Sequence, residues 1–87
     1  MFEQHQSYRN QLDECLTTLQ KIDDIVPKSA LWKFYNNLRF AWVALDTEMI
    51  QCRRRGKVTE KYTELAEEFT VHYKNFEHWQ IMAALLY

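Results

Sequence analysis

From the amino end, mainly apolar residues fall at Met1, His5, Tyr8, Leu12, Cys15, Leu19, Ile22 and Val26, alternating three- and four-residue steps after the first. The same spacing returns at Leu31, Phe34, Leu38, Ala41, Leu45, Glu48 or Met49, and Cys52. It returns again at Val58, Tyr62, Leu65, Phe69, His72, Phe76, Trp79, Ala83 and Leu86. Such an alternation keeps one face of a helix against a neighbour, so each run reads as a heptad seam. Three seams of similar length predict helices over residues 2–25, 29–55 and 59–86.

The breaks between seams hold helix punctuation. Pro27 disfavours helix at Val26 before it, and Ser29 is placed to cap the next helix. Arg53-Arg54-Arg55 followed by Gly56 reads as a basic last turn and a terminating glycine, after which Thr59 can cap the third helix. Both connections are short, so consecutive helices must be antiparallel. The expected fold is all-α: a single-domain, up-down-up three-helix bundle with left-handed, coiled-coil-like packing, about 40 Å long at 1.5 Å per residue.

Composition supports long elements. One Gly and one Pro in 87 residues leave little for turns, while 47% hydrophobic and 15% aromatic content leaves much to bury. The net charge of −1 sets up no global field towards nucleic acid or an anionic membrane, so any such binding needs a local patch. Met1-Phe2-Glu3-Gln4-His5 lacks the basic and apolar regions of a secretory leader, and the longest apolar runs, Phe40 to Leu45 and Ile81 to Tyr87, fall short of a membrane span. A cytosolic protein with Cys15 and Cys52 reduced and buried is expected, with no membrane partner.

No catalytic constellation emerges. A single glycine excludes a phosphate-cradling loop, and Asp23-Asp24 and Glu67-Glu68 diverge by about 100° on a helix rather than pairing as an acid–base dyad. His5 and His72 lie on seams, where parallel alignment of helices 1 and 3 brings His72 towards Cys15 or Leu16 and antiparallel alignment of helices 1 and 2 brings His5 towards Cys52. The Glu-x-x-His spacing of bundle metal sites is absent, so neither metal nor cofactor is expected.

Two surfaces stand out. On helix 2, Trp32, Val43 and Ile50 form a second stripe beside the core-facing arc, flanked by Arg39 and Asp46, with Phe40 further round. The last seven residues cover every face of a helix, more than one neighbour can bury. Trp32, Tyr35, Arg39 and Val43, with Trp79, Leu85 and Tyr87 near the same end, therefore predict an interface of the adaptor, chaperone or inhibitor type, taking a protein partner or a second copy. The alternative is a nucleic-acid accessory protein gripping phosphates with Arg53, Arg54, Arg55 and Lys57. Against it, these arginines complement the helix dipole, and Glu60, Glu64, Glu67 and Glu68 stand near enough to neutralise them.

Overall fold

The computed structural model describes residues 2–21 and 28–86, with side chains described over 2–21 and 31–82. Its three helices are α1 (His5–Lys21), α2 (Lys28–Arg55) and α3 (Glu60–Leu86). They pack pairwise into an all-α bundle measuring 48 × 18 × 18 Å. The 28 residues of α2 span about 42 Å.

Helix directions follow from two aromatic contacts. The Phe2 ring meets Tyr62 edge-on at 5.3 Å and lies 5.9 Å from the Arg53 guanidinium, so the start of α1, the end of α2 and the start of α3 share one end. Phe34 stacks on Trp79 at 5.5 Å, joining the start of α2 to the late turns of α3 at the other. The topology is up-down-up.

The seams are the core. Leu12, Cys15 and Leu19 of α1, Leu31, Leu38, Ala41, Leu45 and Cys52 of α2, and Tyr62, Phe69 and Phe76 of α3 are all buried. Two seam positions differ from expectation. Val58 precedes α3 and is exposed, and Trp79, stacked on Phe34, keeps its indole 45% exposed. Conversely, α2 buries Tyr35 and Trp42 as well as its seam, because a helix with a neighbour on each flank hides a wider arc.

Helix ends show which punctuation operates. Gly56 has φ +72°, and the Lys57 and Gly56 amides donate to the carbonyls of Cys52 and Arg53, the double hydrogen bond of a left-handed helix stop. Thr59 caps α3, its Oγ1 accepting from the Tyr62 amide at 3.2 Å. At the other end α1 begins at His5, a turn later than the seam suggests, because Phe2 leaves the helical path and closes a turn onto the His5 amide. The boundary expected near residue 25 and the seam residues Ile22 and Val26 lie outside the described residues. Helix α2 already includes Lys28, so Ser29 sits inside the first turn rather than before it, and its side chain is outside the described set.

Candidate protein-interaction surface

Helix α2 carries more apolar surface than its neighbours cover. Trp32 is 37% exposed, Val43 54%, Ile50 46% and Phe40 75%. Two of these, Trp32 and Val43, stand on the flank facing α1. There, Leu12, Leu16 and the charged pair Arg9 and Asp13 of α1 combine with Trp32, Tyr35, Arg39, Trp42 and Val43 of α2 to line an open groove of about 570 Å³. The predicted residues Trp32, Tyr35, Arg39 and Val43 are thus brought together. Tyr35 does so as floor rather than rim: it is buried, with Trp32 edge-on to it at 5.7 Å. Arg9 bridges the two helices from above, its guanidinium 5.8 Å from the Trp42 ring and 3.4 Å from Asp13. Trp79 stands apart from this groove, on the α2/α3 side with Phe34. The side chains of Leu85 and Tyr87 lie outside the described residues.

Beneath the groove, a polar network fixes how α1 sits. His5 is buried against Trp42, ring centroids 4.7 Å apart. Its Nε2 donates to Asp46 Oδ1 at 2.9 Å, and its Nδ1 accepts from the Tyr62 hydroxyl at 3.0 Å. The carboxylate can only accept, so Nε2 carries a proton, and Nδ1 is the acceptor in the neutral imidazole. One imidazole thereby ties α1 to both other helices. Seam spacing placed His5 towards Cys52, but it meets Asp46 and Tyr62 instead. Cys52 is held instead by Thr59, whose amide donates to its sulfur at 3.5 Å. Glu48, the acid on the seam, accepts from the Thr59 hydroxyl at 2.7 Å, with the Lys61 ammonium at 3.9 Å. The positive end of the α3 dipole lies beside the same carboxylate.

An Asp–His–hydroxyl sequence has the outline of a proton relay, but its phenol is not primed. Burial, then the neighbouring Tyr8 and Cys52, raise the Tyr62 pKa, so the hydroxyl holds its proton. Cys15 behaves alike: burial and the carboxylates of Glu14 and Glu77 push its thiol up to about 12, and a protonated thiol is a poor nucleophile. Cys15 borders a second groove, between α1 and α3, whose lining is mostly polar and includes Glu14, Thr18, Tyr73 and Glu77. Both cysteines are free. His72 is half-buried, with Glu68 one turn away at 3.8 Å. Among the described residues no three His, Cys, Asp or Glu side chains converge as metal ligands, and no helix is long and apolar enough to cross a membrane.

Arg53, Arg54, Arg55 and Lys57 are all exposed, and among the described residues none makes an ion pair with Glu60, Glu64, Glu67 or Glu68. Lys61 instead lies beside the buried carboxylate of Glu48, at 3.9 Å. The chain matches no family model, no curated protein and no solved structure.

Proposed function

We propose that the protein is a non-enzymatic interaction module, of adaptor, chaperone or inhibitor type, that presents the α1/α2 groove and the outer face of α2 to a protein. One observation carries this reading: Trp32, Phe40, Val43 and Ile50 remain exposed on a helix whose core face is already filled. An apolar strip edged by Arg9, Asp13 and Arg39 has the composition of an interface centre, with large contact area inside and directional polar groups at the rim. The buried Cys15 thiol, held protonated, is a poor nucleophile, which accords with a non-catalytic role. Two free buried thiols accord with a reducing, cytosolic setting.

The test is affinity capture from the source cells with wild type, Trp32→Ala and Arg54→Glu as baits. A partner held by wild type and Arg54→Glu but lost with Trp32→Ala supports the groove. A partner lost only with Arg54→Glu overturns it.

The second reading, nucleic-acid binding through Arg53, Arg54, Arg55 and Lys57, is favoured by four exposed cations in one turn, none of which makes an ion pair with Glu60, Glu64, Glu67 or Glu68 among the described residues. Four phosphate contacts would make log K fall against log salt with a slope of about −3 to −4, whereas an apolar interface responds weakly. Titration of a labelled duplex at two salt levels separates the two.

A further inference from the structure

We propose that the occupant of the α1/α2 groove is a second copy of this chain, with its α2 running antiparallel to the first. The proposal rests on the groove being the interaction surface and names its partner. Beside its inner seam, α2 carries an outer one: Trp32, Asn36, Arg39, Val43, Asp46, Ile50 and Arg53, spaced 4, 3, 4, 3, 4 and 3. All are exposed except Asp46, which is partly buried, and Trp32, Arg39 and Val43 line the groove itself.

This outer seam is complementary to its own reverse. A two-fold axis level with Ala41 sets Trp32 against Ile50 of the second copy, Asn36 against Asp46, and Arg39 against Val43. The Arg39 guanidinium then lies about 4.5 Å along the axis from the level of the opposing Asp46, within reach of its long side chain. His5 takes only Oδ1 of that carboxylate, and the Asp46 side chain is 44% exposed. A parallel pairing would instead put Arg39 on Arg39 and Asp46 on Asp46, like charge on like, so charge selects the antiparallel sense.

The arrangement also explains the most exposed aromatic. Phe40 lies about 80° round α2 from the Trp32–Ile50 line, on the side away from its own α1. When each α2 occupies the other's groove, that side faces α1 of the second copy, whose Arg9 falls level with Phe40. Helices α1 and α2 of both chains then form a four-helix core with α3 outside on each flank. The shared face is about 32 Å long and about 20 Å across, roughly 600 Å² before side-chain relief is counted, near the 800 Å² or so that a stable dimer buries per copy.

Two measurements test it. Light scattering on a sizing column should give the mass of two chains. Val43→Glu should raise the dimer Kd by roughly 30-fold or more, the effect of losing a hot-spot contact, with helicity unchanged by circular dichroism. Arg39→Asp, at an exposed polar position, repeats the test should Val43→Glu fail to fold. Under mild oxidation, the double variant Trp32→Cys with Ile50→Cys should form reducible two-chain species, and each single variant should not. A single-chain mass at every concentration into the millimolar overturns the second copy alone, leaving the groove to be judged by affinity capture. A dimer indifferent to both charge variants, or crosslinking by the single cysteines, overturns the antiparallel groove arrangement.

Discussion

At the scale of single residues, the decisive side chains are polar ones placed inside the bundle. His5 satisfies Asp46 and the buried Tyr62 hydroxyl together, so replacing it strands the phenol. His5→Leu should cost about 1–3 kcal/mol from that orphaned group. In urea melts, adding Tyr62→Phe should recover part of the loss, a non-additivity that a purely packing role would not produce. Cys15 makes a second prediction. Below pH 9 its thiol is protonated in both folded and unfolded chains, and its contribution to stability is fully present. Its folded pKa is raised from 9.0 to about 12, so between those values only the unfolded chain ionises and stability falls as pH rises. Tyr62 and Tyr73, also raised, act in the same direction above pH 10. Denaturant midpoints should therefore decline from pH 9 upwards, and Cys15→Ala should flatten the first part of that decline.

At the scale of elements, α2 is the organising helix, and its two seams have opposite mutational signatures. Leu38 is fully buried between the other helices, so Leu38→Ala should cost about 2–5 kcal/mol through lost transfer energy and the cavity left behind. Phe40, two residues on and 75% exposed, should cost under about 0.5 kcal/mol as Phe40→Ala in dilute solution. Thermal melts of the two variants read this contrast directly. An exposed phenylalanine that stability does not need is where an interface reading draws its strength.

For the whole molecule, elongation matters most. Its radius of gyration is 14.5 Å, against about 12 Å for a compact chain of this size, so this is a rod whose helices need contact along their whole length. Helix α1 is flanked on its α3 side by an open, mostly polar groove. It should open before the α2/α3 pair does. In native-state hydrogen exchange, amides around Leu12 to Leu19 should exchange ahead of those around Leu38 to Leu45 and Phe69.

Three helices, their order and most of their buried faces were legible in the residue pattern, because a 3,4 spacing admits one helical face and Gly56 with Thr59 admits one kind of junction. The surplus apolar stripe of Trp32, Val43 and Ile50 was legible too, since no single seam accounts for it. Tertiary structure alone decided what depends on axial level and lateral spacing: that His5 meets Asp46 and Tyr62, that Glu48 reaches the cap of α3, and that Tyr35 is floor while Trp32 and Val43 are rim. Periodicity defines the face a residue occupies but not its height against a neighbouring helix. Polar pairing and groove geometry are set by that height.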